Sequence, residues 1–185
     1  VDGSGPPGMD EITEEQIETW LADPGHDSYG GAGVGVVELY ASNSITMEDL
    51  SDDMLGGLGS DAPSAGDAIN GLTLKITGTN PGGGIFFQDP SDQVEIGGDF
   101  IAVASDPFAN SGYGAGAGII QIGDVTAANI FVGTTNSTSY SGRYDRLNAG
   151  EVTTGHLTAN GSSSATIRVN AATSIDTGDL TATSS

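Results

Sequence analysis

A five-residue pattern recurs four times in the second half of the chain, and it constrains the fold more than any other feature. Gly98-Asp99-Phe100-Ile101-Ala102 is echoed by Gly123-Asp124-Val125-Thr126-Ala127, then by Gly150-Glu151-Val152-Thr153-Thr154, and last by Gly178-Asp179-Leu180-Thr181-Ala182. Successive copies begin 25, 27 and 28 residues apart. A shorter echo, Gly155-His156-Leu157-Thr158-Ala159, falls inside one interval. A unit of this length holds only two or three short strands. It cannot bury its apolar side chains alone and must stack on its neighbours.

Local composition marks the units as strands. Short blocks rich in Val, Ile, Thr or Phe run from Val34 to Tyr40, Leu72 to Thr77, Ile85 to Gln88, Val94 to Ile96, Phe100 to Ala104, Ile119 to Ile122, Asn129 to Val132, Glu151 to Thr154, His156 to Ala159, Ala165 to Val169 and Thr173 to Asp176. Gly, Asn, Ser, Asp and Pro separate them, as turns require. The expected fold is all-β, a parallel β-helix or β-solenoid, in which each strand stacks on its equivalent at about 4.8 Å. Apolar residues point into a narrow core, glycines mark the corners, and the acid after each glycine bonds corner amides. If the repeat acids are equivalent, Asp99, Asp124, Glu151 and Asp179 form a column on one edge. A β-sandwich or jelly roll is the alternative.

The first 29 residues read differently. Residues 1–9 are rich in Gly and Pro, which predicts a flexible lead-in. A helix is predicted from about Thr13 to Ala22, with Thr13 and Gln16 as a capping box and Glu14, Glu15 and Glu18 in the first turns. Ile12, Ile17, Trp20 and Leu21 share a stripe, and Asp23-Pro24-Gly25 ends the helix. The division is therefore an amino-terminal arm, 1–29, and a solenoid domain, 30–185. Within the latter, 46–58 interrupts the strand pattern. Met47, Leu50, Met54 and Leu55 are at roughly helical spacing there, which predicts a short helix or an acidic loop.

From Val94 to Ser185, phrases such as IIQIGDVTAANIFV and SIDTGDLTATSS resemble the repeat regions of large secreted β-helical exoproteins, the filamentous-haemagglutinin-like adhesins. The resemblance covers about half the chain. It implies a right-handed parallel β-helix and an extracellular, structural or adhesive role. The family's amino-terminal secretion motifs are absent, so its export route does not carry over, and neither does any functional residue.

Charge excludes several functions. Four basic residues face twenty-five acidic ones, a net charge of −21. Nucleic-acid binding needs Lys and Arg against phosphate, and an anionic membrane surface needs the same. No apolar run reaches the ~20 residues of a spanning helix. The chain has no cysteine, hence no disulfide framework or thiolate site. Together with few lysines and the acidic balance, this suits a secreted or cell-surface protein. Asn136-Ser137-Thr138 and Asn160-Gly161-Ser162 fit the glycosylation triplet.

Catalytic constellations are poorly supplied. His26 lies in a Pro-Gly-His-Asp turn, and His156 takes a place that other repeats fill with acid. Neither has a Ser/His/Asp setting. No enzyme is expected, and a neutral-sugar glycoside hydrolase, which needs two placed carboxylates, is a minor alternative. No cofactor is required; calcium is the metal the carboxylates would take. Its candidate ligands are Glu48, Asp49, Asp52 and Asp53 in one cluster, and the repeat acids Asp99, Asp124, Glu151 and Asp179. A solvated acidic face is the plainer reading of both.

The last repeat strand reaches almost to Ser185 with no polar cap after it. An open solenoid end invites pairing with another chain, and two explanations fit: the protein continues, or subunits stack end to end. The expected function is an extracellular structural protein, a self-assembling filament or surface-fibre subunit whose coils stack end to end. Its partners would be copies of itself in head-to-tail order, not nucleic acid and not the interior of a membrane. The alternative is an adhesin or viral fibre module that binds glycans, with Tyr113, Tyr140 and Tyr144 in Gly/Ser-rich loops as stacking platforms.

Overall fold

The computed structural model describes residues 36–47, 71–76, 83–88, 92–104, 118–133 and 149–185. These form fourteen strands and no helix. The expected arm and its helix at Thr13–Ala22 lie outside the described residues.

The strands are shared among three sheets, and every pairing is parallel. Sheet A holds β1 (Val36–Ala41), β3 (Gly71–Ile76), β6 (Asp99–Val103), β9 (Asn129–Val132) and β12 (Ile167–Val169) in that order. Sheet B holds β2 (Ser44–Met47), β4 (Gly84–Phe87), β7 (Ile119–Ile122), β10 (Ala149–Thr154) and β13 (Ala171–Thr177). Sheet C holds β5 (Gln93–Glu95), β8 (Asp124–Ala127), β11 (Leu157–Ala159) and β14 (Leu180–Ala182). From β3 onward the chain visits A, B and C in rotation, and each visit lands beside the previous strand of the same sheet. This agrees with the solenoid expectation. A sandwich or jelly roll pairs its strands antiparallel, and none of these pairs does.

Register follows the apolar alternation. In sheet A, Val37, Leu72, Phe100, Ile130 and Ile167 form one inward column; Leu39, Leu74, Ala102, Val132 and Val169 form the next. In sheet B the column is Ile45, Ile85, Ile120, Val152 and Ile175. In sheet C it is Val94, Val125, Leu157 and Leu180. A one-residue slip would turn every one of these columns to water, so burial pins the register. Residues from all three sheets join one apolar cluster, with Leu72, Ile85, Phe100, Ile120, Ile130 and Leu157 wholly inaccessible.

One correction concerns 46–58. Ser44–Met47 is a strand, and Met47 is buried in the core rather than on a helix. Ile45 and Met47 alternate inward beside Ile85 and Phe87, so tertiary pairing decides the conformation there. The rest of that segment lies outside the described residues.

Corners are tight. Gly133 has φ of 74°, the left-handed region, and an added Cβ would meet the carbonyl oxygen of Asn170 in the next coil. Only glycine fits both demands.

Candidate functional site

The four repeat acids do not form one column, which corrects the expectation of equivalence. Asp99 opens a strand of sheet A, Glu151 lies in sheet B between Ile119 and Ser174, and Asp124 and Asp179 sit at the turn into sheet C. The reason is chemical. A glycine followed by an acid is good corner material anywhere on the coil, so the motif marks corners of different kinds.

True equivalents appear in the hydrogen bonds. At the turn from sheet B to sheet C, Asp124, His156 and Asp179 follow one another up the stack. The His156 backbone N–H donates to Asp124 Oδ1 at 2.7 Å, 32 residues away in sequence. The Asp179 N–H donates to His156 Nδ1 at 3.1 Å, 23 residues on. His156 Nδ1 also lies 3.7 Å from Asp179 Oδ2, both side chains being largely in water. At the turn from sheet C to sheet A, Asn129 Nδ2 donates to Asp99 Oδ1 at 2.8 Å, and the Thr166 N–H donates to Asn129 Oδ1 at 3.0 Å. These side chains satisfy donors that a sharp corner removes from the sheet ladders. Their work is to tie coil to coil.

Among the described residues no three His, Asp or Glu side chains converge as a metal cage. Asp99 and Glu151 lie on sheets A and B, apart from Asp124 and Asp179 at the turn into sheet C. Glu48, Asp49, Asp52 and Asp53 lie outside the described residues, as do His26, Tyr113, Tyr140 and Tyr144.

The two described cations, Lys75 and Arg168, both lie on sheet A between inward neighbours. Lys75 Nζ is 5.8 Å from the centroid of the Tyr40 ring, within cation–π range. The Tyr40 hydroxyl donates to Glu38 Oε2 at 2.9 Å. Partial removal from water raises the Tyr40 pKa above the ordinary tyrosine value; the hydrogen bond to Glu38 and the charge on that carboxylate add to the rise.

The strongest anomaly is at the end of the stack formed by β12, β13 and β14. Leu157 is fully buried, yet Leu180, its equivalent one coil on, is 52% exposed. Val152 is 1% exposed and Ile175, its equivalent, 50%. Ile167 and Val169 are only partly buried, although Ile130 and Val132 below them are inaccessible. At the opposite end, in β1 and β2, Leu39 and Ile45 are partly buried where Leu74 and Ile85 are not exposed at all, while Val37 and Met47 are buried in the core. Among the described residues the large exposed hydrophobic side chains, Tyr40, Ile175 and Leu180, are in end strands. The sequence pattern sets Leu180 in the fourth repeat copy and Ile175 in the last strand block without marking either as exposed. The signal was present in the Leu157/Leu180 echo, since two leucines at equivalent places in successive coils cannot both be covered without a further layer. Comparison with protein-family models, with curated proteins and with solved structures found no match.

Proposed function

We propose that this chain is a secreted, non-enzymatic structural protein: a parallel β-solenoid whose coils stack end to end in a filament or surface fibre. One observation carries the reading. The inward side chains of the last coil are of core type and in core register, yet Ile175 and Leu180 stand half exposed. Burying the missing half of two such side chains is worth on the order of 1 kcal/mol each, and the edges of β12, β13 and β14 offer a row of backbone donors and acceptors besides. A further coil satisfies both at once, whether it belongs to the same chain or to a second copy. Asp99, Asp124, His156 and Asp179 are engaged between coils, and Glu95, Glu151 and Asp176 are exposed on the walls, which suits a scaffold. The absence of cysteine and the resemblance to secreted β-helical adhesins favour an extracellular place.

Electron microscopy of the purified full chain over a concentration series, with and without calcium, tests this. Long regular filaments about one coil-stack wide are the expected result. Discrete particles at every concentration refute self-assembly and leave a fibre or adhesin module, to be screened against glycans.

A further inference from the structure

At the turn from sheet B to sheet C, one residue in each of three successive coils holds the same place, and one of the three is of a different chemical kind. Asp124, His156 and Asp179 each precede an inward side chain of one column, Val125, Leu157 and Leu180. Asp124 Oδ1 accepts the His156 N–H at 2.7 Å, and His156 Nδ1 accepts the Asp179 N–H at 3.1 Å. Backbone ties run beside them: the Val125 N–H donates to the His156 carbonyl and the Leu157 N–H to the Asp179 carbonyl, both at 2.9 Å. In each step a side-chain acceptor of one coil takes the corner N–H of the next. An ionised carboxylate is an acceptor only. An imidazole accepts at Nδ1 only while that nitrogen carries no proton, and as imidazolium it only donates. The bond to the Asp179 N–H therefore sets the ring's single proton on Nε2.

We infer that His156 is a pH-sensitive clasp between the coil of β10 and β11 and the coil of β13 and β14. With Nδ1 unprotonated, the clasp is the bond from the Asp179 N–H. With a proton on Nδ1, two donors face each other and that bond is lost. The new ring N–H then has Asp179 Oδ2 to turn to, 3.7 Å away. The tie passes from the backbone to two exposed side chains, where it is weak, and the corner N–H is left to water. Imidazole is the side chain whose ordinary change of charge falls between about pH 5 and 8. Asp124 from the coil below and Asp179 from the coil above face the ring. Farther down sheet C stands Glu95, and the adjoining wall of sheet B carries Glu151 and Asp176. The described cations, Lys75 and Arg168, are both on sheet A. The other side-chain tie to a corner N–H of the next coil does not share this sensitivity: at the turn from sheet C to sheet A the Thr166 N–H is held by the amide oxygen of Asn129, which does not titrate. Both coils of the clasp belong to one chain, so the inference is independent of the filament reading.

Hydrogen exchange of single amides, read by NMR on the full-length chain, tests this; where the chain polymerises, exchange is quenched and read after dissolution. Protection is taken relative to an unstructured amide at the same pH, which removes the slowing that acid itself causes. Between about pH 8 and pH 5, the range in which imidazoles change charge, protection of the Asp179 amide should fall roughly threefold to tenfold, the loss of one hydrogen bond of ordinary net strength. The fall should keep step with the movement of the His156 ring resonances. The His156 amide, held by the Asp124 carboxylate, should keep its protection over the same range. His156→Asn puts an uncharged acceptor as many bonds from the backbone as Nδ1, and should leave the Asp179 amide equally protected at both ends of the range. His156→Ala should leave it poorly protected at both. Ring resonances that do not move over this range overturn the clasp, and so does an Asp179 amide that stays flat while they move. A fall that His156→Asn shares, or that the His156 amide matches, overturns it as well, because acid then loosens the coil without the imidazole.

Discussion

Leu157 and Leu180 are the same residue at the same place in successive coils, so they make a controlled pair. Leu157 lies between Val125 and Leu180 in the inward column of sheet C and has no accessible surface. Leu157→Ala removes three carbons. At about 0.8 kcal/mol per buried methylene this costs about 2.4 kcal/mol, and the cavity left in a packed core brings the loss to about 3 kcal/mol. Leu180 is 52% exposed, so about half of the transfer contribution is at stake, and no closed cavity forms. Leu180→Ala should then cost about 1 kcal/mol. Urea unfolding followed by far-ultraviolet circular dichroism, below the concentration at which any polymer forms, measures both. With a urea slope near 2 kcal/mol per molar, the midpoint should fall by about 1.5 M for Leu157→Ala and about 0.5 M for Leu180→Ala. Equal losses at low concentration would refute the claim that the last coil lies uncovered.

Two other outcomes follow from local geometry. Gly133→Ala should destabilise the chain by roughly 2 kcal/mol or more, since a left-handed backbone costs a non-glycine residue about 1–2 kcal/mol and the new methyl must displace the Asn170 carbonyl; a thermal melt within a degree of the parent would contradict it. Tyr40 should titrate above an ordinary tyrosine in the folded chain, so ultraviolet absorbance of the phenolate should appear later than in the urea-unfolded chain. Because the folded pKa is the higher one, any stabilisation from this group is full below the unfolded value and fades as pH rises through the folded one.

The fold was legible because strand alternation and corner chemistry are local. Leu72, Leu74 and Ile76 alternate inward as their spacing demands, with Thr73 and Lys75 between them. The phase of the coils was not legible. Sixteen residues of sequence separate Val132 from Ala149, whereas Asn170 alone joins Val169 to Ala171, so the true interval between equivalents varies. At the turn into sheet C it is 32 residues and then 23; at the turn into sheet A it is 30 and then 37. The near-constant spacing of the Gly-acid motif reflects how often a corner is needed, not which corner it is. His156, in the shorter echo, was the real partner of Asp124 and Asp179.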